Sequence, residues 1–411
     1  MRKTLLLSIA LFLIGLNSFS QWVVQPSGTS VSLKSVYFPH ADTGYIVGDN
    51  GMILYTTNAG NLWTQQSSGT NNNLVSVYFP AANTGYTSGD SGTILKTVNG
   101  GTNWITQVGG TTANLLSVGF FNADTGYAIG YDSLLKTTNG GETWTVKPTS
   151  GHGGFPIGGG SGFFTDANIG YQVRYESVFG THGIISKTVD GGNNWWDYWV
   201  TIPVLGVYFP DDTTGYVIGG RYYIDGSSAN IILKTTNRGG TWTEQSAPTN
   251  IPLLSVFFTD ANTGYAIGDS GTILKTTNGG ILWTLQTSGT FNHLLSVYFT
   301  DTNTGYVVGE GGIILKTSNG GITGVNDQIW TSNSLKIYPN PAEEKIIIEP
   351  TESGSNMNGT ISIYGMTGQE LIKQQAHGSN LVLNVSSLPQ GVYFIRLTGS
   401  NKTGFGKFIK E

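Results

Sequence analysis

The chain has 411 residues, of which 60 are glycine and only 11% are charged, so glycine stands at about twice its usual share and charge at less than half. Aromatic residues at 12% exclude a solvated disordered chain, and 13 prolines without a three-residue glycine period exclude collagen. The formal charge is −5, and residues 21–325 hold 11 basic against 18 acidic side chains. That leaves no positive field for phosphates, so neither nucleic acid nor an anionic membrane surface is expected as a partner.

The first twenty residues read as an export signal. Arg2 and Lys3 precede an apolar run from Leu5 to Leu16, and Ser18-Phe19-Ser20 forms a small-x-small cleavage site before Gln21. The run is too short for a membrane span, which needs about 20 residues. An exported chain without cysteine has no disulfides, no thiolate metal site and no cysteine nucleophile, so packing alone must hold it.

From residue 21 onward one unit recurs. Its marker is a Gly-Tyr pair, at Tyr45, Tyr86, Tyr127, Tyr171, Tyr216, Tyr265 and Tyr306, with successive spacings of 41, 41, 44, 45, 49 and 41. This period suits a four-stranded propeller blade and is too long for leucine-rich repeats. In the sixth unit, strands are predicted over Leu253–Phe258, Gly264–Ile267, Thr272–Lys275 and Trp283–Leu285, separated by turn clusters such as Asp269-Ser270-Gly271. No stretch of the repeat keeps a helical period.

A second signature, Thr-x-Asn/Asp-x-Gly-x-x-Trp, marks the turn from the third strand to the fourth. Its Asx and Trp positions are Asn58 and Trp63, Asn99 and Trp104, Asn139 and Trp144, Asp190 and Trp195, Asn237 and Trp242, and Asn278 and Trp283. The Asx side chain can cap turn amides, glycine can take a special dihedral, and the indole can pack between blades. The signature resembles the Asp-box of bacterial-neuraminidase-type (BNR) repeats, with Asn replacing Asp in most copies. The resemblance implies a structural box away from any active site, so neither a metal nor a cofactor is expected there.

The seventh box keeps Thr317, Asn319 and Gly321 but has Gly324 in place of Trp. The absent part stands at the other end of the repeat region: Trp22 lies 16 residues before Phe38, just as Trp63 lies 16 before Phe79. The N-terminal segment is therefore expected to supply the outer strand of the last blade and close the ring, sparing the edges an open ring would expose. Residues 21–325 taken whole look like the photosystem II assembly-factor (Ycf48-like), Asp-box class of seven-bladed β-propeller.

After a polar linker at 326–333, residues 334–411 carry seven strand-like runs, several alternating as half-buried strands do. An all-β fold results, a seven-bladed β-propeller followed by a small Ig-like β-sandwich. The segments Leu335-Lys336-Ile337-Tyr338-Pro339-Asn340-Pro341, Leu388-Pro389-Gln390-Gly391-Val392-Tyr393 and the terminal Lys407-Phe408-Ile409-Lys410-Glu411 resemble the type A sorting domain of type IX secretion. The resemblance implies the type IX machinery as a partner, and a location outside a Gram-negative cell, released or held at the outer surface.

Departures from the repeat point to a binding face. The interval from the Gly-Tyr tyrosine to the third-strand lysine is 16 in blade 4 (Tyr171 to Lys187) and 18 in blade 5 (Tyr216 to Lys234), against 9 or 10 elsewhere. The connection into blade 4, which holds His152, is longer too. These insertions open on the face opposite the boxes and carry Arg174, Tyr175, Glu176 and His182, then Arg221, Tyr222, Tyr223 and Asp225, while Trp196, Asp197, Tyr198 and Trp199 run toward the same face. Aromatic platforms flanked by charge suit a glycan or a protein partner. Loops that simply cover ring edges are the plainer alternative. A glycoside hydrolase needs two carboxyls roughly 5–10 Å apart, for which Glu176, Asp197 and Asp225 are the candidates. A sialidase of this architecture uses three arginines, and Arg238, the third in the propeller, falls in a box turn on the opposite face. A non-catalytic, monomeric binding module is the main expectation.

Overall fold

The computed structural model describes residues 21–130, 133–147, 157–158, 160–176, 182–321, 335–350, 357–365, 369–399 and 403–411. The expected signal segment at 1–20, the linker at 326–333 and most of the long connection into blade 4, His152 included, lie outside them. Two compact units divide the chain between Thr323 and Gly324.

The first unit is a ring of seven blades. In blade 6 the strands are Leu253–Phe258, Gly264–Gly268, Ile273–Thr276 and Thr284–Gln286, paired antiparallel in chain order. The other blades repeat this plan, with the inner strand of blade 4 broken into Ile157–Gly158 and Gly162–Phe164. Blade 7 is completed from the start of the chain: Val23, Val24 and Gln25 pair with Lys316, Leu315 and Ile314. Trp22 is 1% exposed and meets Phe299 and Tyr265 edge-on, with centroids 5.8 and 6.2 Å apart. It fills the place that Trp283 holds against Phe258 in blade 6.

The repeat markers are interblade parts. Each Gly-Tyr ring stacks on the inner-strand Phe of the next blade, as Tyr45 does on Phe79 at 4.0 Å and Tyr306 on Phe38 at 4.1 Å across the seam between the last and first blades. Glycine precedes each of these tyrosines because the ring leaves no room for a Cβ. At Gly264 a Cβ would come within 2.4 Å of Phe258. The tyrosine hydroxyl then donates to a backbone carbonyl in the box turn of the next blade, Tyr86 to Gly140 and Tyr265 to Gly320 at 2.7 and 2.8 Å.

The third-strand lysines join this latch, through an acceptor that no side-chain identity marks. Lys275 Nζ donates to the same Gly320 carbonyl at 2.6 Å, and its ammonium lies 5.5 Å from the Tyr265 ring centroid. Lys96, Lys187, Lys234 and Lys316 do likewise, and Lys136 bonds Ala167 O. In blade 1 that position is Tyr55, stacked at a tilt on Tyr45. Six of the few cations of the propeller are thereby committed to holding blades together, a use of charge that combines a charge-assisted hydrogen bond with a cation–π contact.

Within each box the Thr hydroxyl and the Asx oxygen do the capping. Thr56 Oγ1 donates to Asn58 Oδ1 and accepts from Gly60 N, while Asn58 Oδ1 also accepts from Leu62 N. Only an acceptor oxygen is required, so Asn serves as well as Asp. In the single Asp copy, hydrogen bonds from the Asn194 side chain and backbone lead in holding the Asp190 carboxyl at about 2. Asp190→Asn keeps the Oδ1 acceptor used by Thr188 and the Asn194 amide but loses the bond that the Asn194 side chain gives to Oδ2. A small fall in melting temperature is therefore expected at pH 7, and less at pH 2, where the carboxyl is itself being protonated. A large drop would show that the box needs charge.

The second unit packs a three-stranded sheet, Leu335–Tyr338, Lys345–Pro350 and Leu381–Asn384, and a four-stranded one, Met357–Tyr364, Glu370–Gly378, Gly391–Gly399 and Thr403–Lys410. Ile346, Ile348, Ile361, Ile363, Ile395 and Phe408 form the core between them. Asn340 accepts from Ile409 N and donates to Lys407 O, so the Pro-Asn-Pro segment clips the last strand in place.

Candidate functional site

The box turns bond the loop between the first two strands of their own blade, as Gly279 N does to Asn262 O. The hairpins between second and third strands therefore open on the opposite face. Two of them are extended: Gly170–Glu176 with Gly183–Thr188 in blade 4, and Gly215–Tyr222 with Ser228–Thr235 in blade 5. Other second strands end after five residues, as at Gly85–Gly89.

Blade 4 also has the longest outer strand, Trp196–Val200, against two or three residues in the other blades. Its side chains alternate across the sheet. Trp196 and Tyr198 oppose Lys187 and Ile185 and share the face turned toward blade 5, where Ile185 packs with Val217 and Leu233. Both are open to solvent, at 57% and 45% exposure. Asp197 and Trp199 lie on the other face, with Gln172, which donates to Gly130 O of blade 3.

Arg174 and Asp197 come together, but beneath the surface. Arg174 is 2% exposed and pairs with Asp197 at 3.5 Å, and the same carboxylate oxygen accepts a 2.5 Å bond from Ser186 Oγ. Strand alternation turns Arg174 inward, so this pair fixes the outer strand from below and does not face solvent. Trp199 stays about half exposed, and Tyr175 is half-buried. Glu176 is placed only through its backbone, opposite Ile157. His182, just before the third strand, is exposed.

The blade 5 extension is anchored toward blade 6. Asn230 donates to Thr249 O and Ile251 O in the connection between those blades. The Tyr222 hydroxyl lies against Asp269 and Ser270 of blade 6, and burial leads in pushing its pKa up. At the tip, Arg221 covers the Tyr223 ring at 4.3 Å, and Asp225 accepts from the hydroxyl and amide of Ser227, which hold its carboxyl below the usual range. Tyr222, Tyr223 and Ile224 remain exposed. Arg238 sits in its box turn, where its carbonyl accepts from Tyr171 and Lys187. The three propeller arginines thus occupy three separate settings. Among the described residues, no cluster of three or more His, Asp or Glu side chains forms a metal site.

Seven box-bearing blades closed by the N-terminal strand define an Asp-box β-propeller. Residues 15–110 and 234–339 match the family model described as photosynthesis system II assembly factor YCF48, and residues 336–411 match the secretion system C-terminal sorting domain. The chain is a Ycf48-like propeller joined to a sorting domain of the type IX secretion system, which directs export. Similar solved structures include "YCF48 bound to D1 peptide", 16% identical with a TM-score of 0.58 over 73% of this chain and 98% of that one. YCF48 from Cyanidioschyzon merolae is 19% identical, TM-score 0.58, over 72% and 98%. An ancestral GH74 enzyme is 13% identical, TM-score 0.58, over 94% of this chain and 63% of its own. These likenesses establish the fold. Comparison with curated proteins gives no match. The YCF48 match passes over residues 111–233, which contain blades 3 and 4 and most of blade 5, where this chain departs most from its own repeat.

Proposed function

We propose that the exported chain, released or held at the cell surface, is a non-catalytic binding module that takes a glycan or protein ligand over blades 4 and 5. The observation that carries this reading is the exposure of large rings on these two blades, Trp196 and Tyr198 on the side of the outer strand facing blade 5, Trp199 on its other side, and Tyr222 and Tyr223 on the next hairpin. Large rings held by stiff strands offer contact area at little entropic cost. A hydrolase would need one carboxyl kept protonated near neutral pH. Asp225 is shifted the other way and Asp197 is engaged by Arg174 and Ser186, which favours binding over hydrolysis.

Screening the intact protein on glycan and surface-protein arrays should reveal a ligand whose retention falls at least tenfold in Trp196→Ala/Tyr198→Ala, a loss of about 1.4 kcal/mol. Undiminished retention would remove blades 4 and 5 from the site. Glycan cleavage that survives in the double variant but stops in Glu176→Gln would favour the hydrolase instead.

A further inference from the structure

The residue before each stacked phenylalanine lines the central channel on the inner strand of its blade. Going around the ring these are Tyr37, Tyr78, Gly119, Phe163, Tyr208, Phe257 and Tyr298. Six are aromatic and form a continuous arc from Phe163 through Tyr208, Phe257, Tyr298 and Tyr37 to Tyr78, with neighbouring centroids 5.0–5.3 Å apart. The arc is broken at blade 3. Gly119 is not there for its backbone, since its φ is outside the left-handed region, and a Cβ built on it meets nothing within 4 Å.

The gap is a cavity of about 220 Å³, lined by Tyr78 and Phe163 on either side of Gly119 and closed by Phe120, Phe121 and Ile129 among others. Phe121 packs on Tyr127 and Phe164, so it walls the cavity without replacing the absent ring. The Ser117 hydroxyl is spent on Gly162 O, leaving little to hold water or a sugar.

We propose that this gap binds a planar, uncharged aromatic ring, supplied by a small molecule or by the side chain of a protein segment entering the channel. A ring placed between Tyr78 and Phe163 would repeat the contact that every other neighbouring pair already makes, and aromatic pairs prefer this spacing. An apolar cavity of about 150 Å³ suffices for benzene, so this one admits a phenol or an indole. The site is on blades 2 to 4 within the channel and stands or falls separately from the face over blades 4 and 5.

The test is calorimetric titration of the intact chain with indole, p-cresol and N-acetyltryptophanamide, with a non-planar alcohol of similar size as control. Binding of the aromatic probes and not the control is the expected result. Indole alone identifies a small-molecule ring, and N-acetyltryptophanamide alone a side chain. Gly119→Phe, which supplies the ring from within, should melt higher than the parent and lose the response. Should it fail to fold, Gly119→Val, which narrows the gap, should weaken binding at least about tenfold. No heat from any aromatic probe at millimolar concentration, or undiminished binding in a folded Gly119 variant, overturns the proposal.

Discussion

Trp22→Ala is expected to lower the stability of the propeller by about 3–5 kcal/mol, as truncation of a fully packed indole does, and its melting temperature by roughly 5–8 °C. Two losses combine. The cavity opens beside Tyr265 and Phe299, and the edge-on contact of Trp22 with Phe299 is the seventh copy of a Trp–Phe contact present in every blade. The strand Val23–Gln25 also loses the anchor that holds it against Ile314–Lys316. Thermal unfolding followed by near-ultraviolet circular dichroism reads the effect. An unaltered transition would mean that the six internally built blades carry the ring without its closing strand.

A second large effect is expected in alkali. Burial first pushes all seven Gly-Tyr hydroxyls up, to about 12 for Tyr86, Tyr171 and Tyr306, and channel tyrosines Tyr208 and Tyr298 to about 12 as well. The native state therefore keeps these protons where the unfolded chain loses them. Their contribution is complete below pH 10 and declines as pH rises from 10 through 12. Each forfeits on the order of 1.4 kcal/mol by pH 11, so several together consume the ~5–15 kcal/mol margin of a typical domain. The latch lysines oppose this, because burial lowers Lys136, Lys187, Lys275 and Lys316 and stability from them rises with pH, but they are fewer. Urea midpoints should stay level from pH 7 to 9 and fall steeply above 10. A level profile to pH 11 would contradict the latch as the source of interblade cohesion.

Much of the ring was legible in the sequence because each blade repeats the same local contacts. The Gly-Tyr pair, the box and the 16-residue interval from Trp22 to Phe38 all mark positions whose partners recur at a fixed offset, so strand order and closure follow from counting. The lysine latch escaped because its acceptor is a backbone carbonyl one blade away, invisible in side-chain identity. Gly119 escaped for a related reason: in a chain with 60 glycines, one that interrupts a ring of aromatics looks like any turn glycine until the neighbours are placed. Arg174 reads as a surface charge in an inserted hairpin, and strand alternation sends it inward to Asp197. Likewise the length of the blade 5 hairpin was apparent, whereas its attachment to blade 6 through Tyr222 and Asn230 depends on side-chain direction.

The closing strand also has a temporal meaning. Every other strand pairs with a neighbour a few tens of residues away at most, while Val23 meets Lys316 across nearly the whole first unit. Loop-closure entropy places such a pairing late on the route to the native state, after the blades that define its docking groove. The seam is then the natural place for the ring to open first, and the packing of Trp22 against Phe299 and Tyr265 is what resists that opening.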